Sequence, residues 1–324
     1  MTSYGFALSS EEHMPNDLVR YAAMAEEAGF EFAMISDHYH PWVDAQGHSP
    51  FVWSVIGGIA HATERLRLGT GVTAPIMRIH PAIIAQAAAT AAAMMPGRFM
   101  LGVGTGENLN EHILAQGWPS ISVRQEMLAE AVEVMRKLWT GENVEYYGEY
   151  YSVQDARLYT LPDQPPPVLV AASGKGSAMM AAEIGDGLVA TAPNQQVLDA
   201  FVEGGGASKP KLGQVTVCWH EDEAEAKRIA RKVWPNAAVQ GELTVELPLP
   251  RHFEQATQDV TEDQIAKLIV CGPEPGRYVE KIREYEREGF DHVYVHAVGP
   301  DQEGFIRFFQ REVMPELQRQ RPAA

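Results

Sequence analysis

Residues 36–42 read SDHYHPW and follow directly on the apolar run FAMI, so an acid, two imidazoles and an indole arrive together where a buried strand would end. Loops leaving strand ends on a rigid scaffold are where catalytic side chains gather. His38 can exchange a proton near neutral pH, Asp37 can anchor or orient, and Trp42 can wall a planar ligand. The bland alternative is a helix start capped by Asp37, with histidines that only satisfy local hydrogen bonds. A metal held by His38-x-His40 would need at least a third protein ligand. The fifth and sixth strand ends offer AASGKGS and TAPNQ, without His, Asp or Cys, and His296 and Asp301 are distant candidates, so no metal site is expected.

Three other stretches have chemistry-bearing spacing. GVGTGENLNEH (102–112) carries glycines that let backbone approach a ligand, and it presents Glu107 just past a strand. A dinucleotide fold would place such a turn after its first strand, whereas this one follows the fourth. AASGKGS (171–177) runs from a strand into a helix start, where free N–H groups and the helix dipole favour a phosphate, and Lys175 adds charge. Its spacing is not that of a nucleoside triphosphate loop. Residues 191–194 add a small polar turn at the same rim. LGTGVTAP (68–75) suits a flat ring lying on backbone with Val72 as an apolar buttress, or equally a glycine-relieved bulge closing a strand.

Positioning these residues requires strands that all end on one face. Eight β-rich runs, at 4–8, 32–35, 66–72, 99–103, 168–171, 188–191, 215–219 and 292–296, alternate with helical patterns at 17–28, 82–95, 123–139, 177–184, 221–233, 276–288 and 304–317. That alternation predicts an α/β fold, a (β/α)8 TIM barrel forming one domain over residues 1–324, with insertion segments at its C-terminal face. The interruptions are a hairpin at 146–153 turning at Gly148, a glycine-rich stretch at 203–211 expected to be mobile, and a proline-punctuated segment at 242–259 that reads as an active-site cover or an interface.

Composition narrows the class. The chain has 324 residues, 45% of them hydrophobic, and a formal charge of −17, which argues against a nucleic-acid surface. No signal-peptide pattern or long apolar run is present, so a cytoplasmic protein without membrane partners is expected. Cys218 and Cys271 stand apart without metal or disulfide spacing and are expected to be buried thiols.

Together SDHYHPW, the GTGV strand end, HPAIIAQAAAT at 80–90, GVGTGENLNE, LWTGENVEYYGEYY and GDGLVAT resemble, in order and over nearly the full length, the bacterial luciferase-like superfamily. The resemblance is specifically to its branch using the deazaflavin coenzyme F420, the F420-dependent glucose-6-phosphate dehydrogenase family. It implies an F420-dependent oxidoreductase acting on CH–OH donors, passing a hydride from a hydroxyl-bearing carbon of an alcohol, sugar or sugar phosphate to C5 of the deazaflavin. It further implies that His38 is the base, Glu107 a proton donor to the ring or a partner in hydroxyl activation, Trp42 a substrate-holding indole and Glu11 the support of His38. Cofactor contacts carry over to Asp37, Gly71, Val72, Thr105, Asn110, Ala171, Ala172, Ser173, Gly174 and Thr191, with Gly71–Val72 matching the family's cis non-proline bond. Arg78 or Lys175 is expected to meet the coenzyme's carboxylate tail.

The departure from the family lies in the substrate pocket. Two lysines that hold the sugar phosphate are matched by Asn194 and Gln255, with Arg277 in place of a third basic group, and each lost charged contact is worth about 1.5–3 kcal/mol. Glucose 6-phosphate is therefore not the expected best substrate, and His13, Tyr39 and His40 are expected to shape the mouth for another small hydroxyl compound. The alternatives are a flavin mononucleotide monooxygenase of the same superfamily and a non-catalytic deazaflavin-binding protein. The family also implies a homodimer.

Overall fold

The computed structural model describes residues 2–319. Eight parallel strands close a barrel: β1 (Ser3–Leu8), β2 (Phe32–Ile35), β3 (Arg67–Thr70), β4 (Phe99–Val103), β5 (Val168–Ala171), β6 (Gly187–Ala190), β7 (Lys211–Cys218) and β8 (His292–Ala297). Each pairs with the next, and β8 returns to β1 with Phe6 opposite Val295. A two-residue strand, Val270–Cys271, adds to β7. Strands such as FAMI and GLVA are buried on both faces, as a parallel sheet under a helical ring requires. The expected (β/α)8 architecture is the one observed.

Side-chain alternation divides the core in two. Phe6, Leu8, Ala33, Val293 and Val295 face the helices, while Ala7, Phe32, Met34, Met100, Leu169, Val189, Leu212 and Tyr294 pack into the barrel axis. That second group plugs the barrel, so ligand access is confined to the mouth at the C-terminal strand ends.

Helix Val52–Ala62 was absent from the sequence expectation. Its VWSVIGGIAHA has two glycines and several β-branched residues, a poor intrinsic helix former. Tertiary packing overrides propensity: Val52, Val55, Ile56 and Ile59 share one buried stripe, and a Cβ at Gly58 would come within 2.8 Å of Val19 on Pro15–Glu27. The glycine-rich stretch is also built into the fold. It continues helix Gln195–Phe201 through Gly206 before β7 begins at Lys211, four residues earlier than expected. Gly204 fits against Ala182 and Gly206 against the Phe201 ring, where a larger residue would collide. The hairpin is present, pairing Val144–Tyr147 with Ser152–Ala156. Both cysteines are buried thiols.

The 242–259 segment folds into two short helices, Leu243–Glu246 and Pro250–Ala256. Phe253 is buried with Val43 and Leu109, which come from the loops after β2 and β4, and Trp42 and Leu247 pack on this cluster. The segment therefore lies over the mouth as a cover.

Candidate active site

His38 and Glu11 meet at the ends of β2 and β1, with Nε2 3.3 Å from Oε1. The Ser36 hydroxyl donates to Glu11 Oε2 at 2.6 Å and Ser9 to the same oxygen at 3.1 Å. His38 Nδ1 lies 3.1 Å from the His40 carbonyl oxygen, an atom that can only accept, so Nδ1 carries a proton. The lone pair of the neutral ring is then on Nε2, facing the carboxylate, and a proton taken up there finds an anionic partner. Burial pushes the Glu11 carboxyl up, but His38 and the Ser36 hydroxyl outweigh it and hold the group below its ordinary value. Trp42 lies 5.1 Å from the His38 ring and edge-on to Phe253 at 5.2 Å, between His38 and the cover.

A buried ion triad ties the neighbouring loops. Asp37 accepts from Thr73 at 2.8 Å and from Arg78 Nη2 at 2.8 Å, while Glu111 accepts the Arg78 backbone N–H at 2.7 Å. The Arg78 guanidinium is turned inward between the two acids, which leaves it poorly placed for the coenzyme's carboxylate tail. Burial pushes Glu111 up to about 7 despite Arg78. Asn110 Oδ1 accepts the N–H groups of Tyr39 and His40, and its amide donates to Glu107 Oε2 at 3.2 Å, so one residue joins the β2 loop to Glu107. His40 donates from Nδ1 to the Leu109 carbonyl and stacks on His112.

The Gly71–Val72 bond is cis. Val72 projects over the barrel core, and a Cβ at Gly104 would approach its Cγ2 within 2.9 Å, while one at Gly102 would strike the Thr70 carbonyl. These two glycines are thus required by the β3 bulge, whereas the sequence had suggested ligand approach. Thr105 is half-buried beside them.

Across the mouth, Ala171, Ala172, Ser173 and Gly174 lead into helix Lys175–Ile184. The N–H groups of Ser173 and Gly174 point toward the Ser177 hydroxyl, and open space lies around Gly174 and Gly176. An apolar ledge at Val72 and an open helix N-terminus opposite fit a flat ring with a phosphorylated side chain. Thr191 is exposed at the β6 end of the same rim.

The residues matched to the phosphate clamp are differently employed. Asn194 caps Gln195–Phe201 by accepting from the Gln196 N–H at 3.0 Å. Gln255 is exposed on the cover. Arg277 donates to the Cys271 carbonyl at 2.8 Å and lies 3.6 Å from Glu223. Sequence reasoning missed Ser9, Ser36, Thr73, Glu111 and Phe253. Ser36 stood in the leading motif, and the acid at 111 in NLNEH was the remaining signal.

A plugged barrel with these strand-end loops defines a class of protein: residues 2–292 match the luciferase-like monooxygenase family, and the chain belongs to it. Within that family it is 35% identical over 328 residues to the F420-dependent glucose-6-phosphate dehydrogenase of Microbacterium testaceum, covering 98% of this chain and 97% of the relative. It is 38% identical to the enzyme of the same name from Segniliparus rotundus, covering 97% of each. Among solved structures, an F420-dependent secondary alcohol dehydrogenase in complex with an F420-acetone adduct superposes with a TM-score of 0.90 at 30% identity, covering 98% of this chain and 99% of that one.

Proposed function

We propose that this protein is a coenzyme F420-dependent dehydrogenase that oxidises a hydroxyl-bearing carbon to a carbonyl. The observation that carries the reading is the buried His38–Glu11 pair at the mouth, in a chain whose relatives are named F420-dependent dehydrogenases. When bound, the deazaflavin supplies the acceptor that takes the hydride at C5. His38 Nε2 receives the hydroxyl proton as the C–H electron pair leaves and the C=O bond forms, and Glu11 balances the imidazolium. Glu107, oriented by Asn110, donates the proton needed on the coenzyme side. Trp42, held by its N–H to Gln46 at 2.7 Å and by Phe253, walls the substrate.

The coenzyme would rest on Gly71, Val72, Thr105 and Asn110, with its phosphate toward Ala171, Ala172, Ser173, Gly174 and Thr191. Asp37 supports that floor through Thr73. The substrate is a small hydroxyl compound other than glucose 6-phosphate, because Asn194 and Gln255 carry no charge and Arg277 is engaged elsewhere. The reading includes a cytoplasmic homodimer. An apolar groove between Val52–Ala62 and Pro81–Met94, flanked by exposed Phe51, Ile83 and Met94, supports the pairing. No described helix is long and apolar enough to cross a membrane. The test is to load the protein with F420, add alcohols and sugars in turn, and follow loss of the deazaflavin's visible absorbance.

A further inference from the structure

The inner rim of the barrel is not uniform. On β7, Val215 and Val217 pack outward, which turns Gln214 and Thr216 inward, and on β8 Val293, Val295 and Ala297 likewise turn Tyr294 and His296 inward. Leu212 and Tyr294, the latter paired with Gln214, belong to the apolar plug. Gln214 and Thr216 nevertheless keep accessible surface, and an inward-facing side chain above a sealed plug is reached from the mouth. On the opposite side Met100, Leu169 and Val189 lie in the plug, Val189 paired with Leu212, and Val72 packs on them. Above the plug the mouth therefore has a polar half on β7, β8, β1 and β2, across from the Val72 ledge that follows β3.

The polar half is continuous with the base. Ser9 donates to both Glu11 and Glu12, Glu12 Oε1 lies 3.9 Å from His296 Nε2, and the Gln214 amide lies 3.4 Å from His296 Nδ1 and 3.4 Å from the Thr216 hydroxyl. Trp234 packs edge-on against His296 at 4.6 Å and fixes that ring. The wall is also uncharged near neutral pH: burial raises Glu12 to about 8 and lowers His296 to about 4. Arg78 is committed to Asp37 and Glu111, and Arg277 to the Cys271 carbonyl.

We infer that the substrate is a neutral polyhydroxy compound, a diol or unphosphorylated sugar, whose second hydroxyl is held by Gln214 and Thr216 while the first faces His38. The inference rests on the dehydrogenase reading and adds the substrate class to it. A hydroxyl is the group this wall can satisfy in both directions, since Gln214 and Thr216 each donate and accept. An added phosphate would find Gln214, Thr216, His296 and Glu12 instead of a cation on this wall and would leave water for an uncharged surface.

The test compares kcat/KM of the F420-loaded protein for propan-2-ol, propane-1,2-diol, glucose and glucose 6-phosphate, in wild type, Gln214→Leu and the nearly isosteric Thr216→Val. The expected result is that a neutral polyol exceeds propan-2-ol and glucose 6-phosphate by tenfold or more, and that each variant lowers the polyol-to-propan-2-ol ratio about tenfold. An unchanged ratio in both variants, or preference for propan-2-ol or the phosphate, overturns the inference. Calorimetric titration of the coenzyme-free protein with the same diol and glucose provides the second readout. If nothing reduces F420, the dehydrogenase reading fails, and the titration alone decides the substrate class: polyol binding weakened by Gln214→Leu sustains it, and absent or unweakened binding overturns it.

Discussion

His38 and Glu11 face each other across the ends of two adjacent strands, Nε2 to Oε1 at 3.3 Å, with side chains only 9% and 4% exposed. In a pair this withdrawn from water, the attraction that arises once Nε2 takes up a proton is little screened. His38→Ala is therefore expected to lower hydride transfer by about 10²–10⁴-fold while F420 affinity stays within a few-fold of wild type. Stopped-flow loss of deazaflavin absorbance, beside a fluorescence titration of the coenzyme, separates the two. Full activity in His38→Ala would remove it as the base.

Glu11→Gln keeps the hydrogen bond from Ser36 but removes the charge that meets an imidazolium. Its kcat should fall at least tenfold with KM changed much less, because the lost interaction develops as the proton arrives. A change confined to KM would assign Glu11 to substrate binding instead.

The Asp37–Arg78–Glu111 triad makes a stability prediction. Arg78→Met leaves two buried carboxylates without their cation, at a cost of about 3–5 kcal/mol, read as a lower denaturation midpoint. Wild-type stability in Arg78→Met would show that the triad is not holding the three loops.

Much of the fold was legible because parallel barrel strands buried on both faces read as short apolar runs with polar or glycine-rich ends, as FAMI-SDHYHPW does. Val52–Ala62 was not legible, since its helicity comes from packing Gly58 against Val19 and not from its own residues. The His38 cluster stood out because its residues are adjacent in sequence. The triad did not, because Arg78 lies 41 positions from Asp37 and 33 from Glu111, and only closure of the barrel brings them together. Gly102 and Gly104 were visible but their reason was not: the β3 bulge presses on them from a neighbouring strand.

Buried groups on and beside the polar wall set a pH dependence with opposed signs. Glu12 has its folded pKa raised by burial to about 8, so its contribution is present below its unfolded value near 4.5 and is lost as pH rises through 8. His13 and His296, lowered by burial to about 4, contribute stability above the unfolded histidine value and lose it as pH falls toward 4. The groups facing Glu12 are Ser9, Glu11, the Gly299 N–H and His296. Relative to wild type, Glu12→Gln should gain in melting temperature steadily from pH 5 to pH 8. A difference flat across that range would mean that Glu12 is ionised in the fold.

The central claim is hydride transfer from a hydroxyl carbon to F420, and parallel titration of the purified protein with F420 and with flavin mononucleotide, followed by addition of neutral alcohols and sugars, tests it most directly. The account predicts tight F420 binding, weak flavin binding and bleaching of the deazaflavin band when a hydroxyl substrate is added. Tight flavin binding without F420 binding, or bound F420 that no hydroxyl compound bleaches, would contradict it.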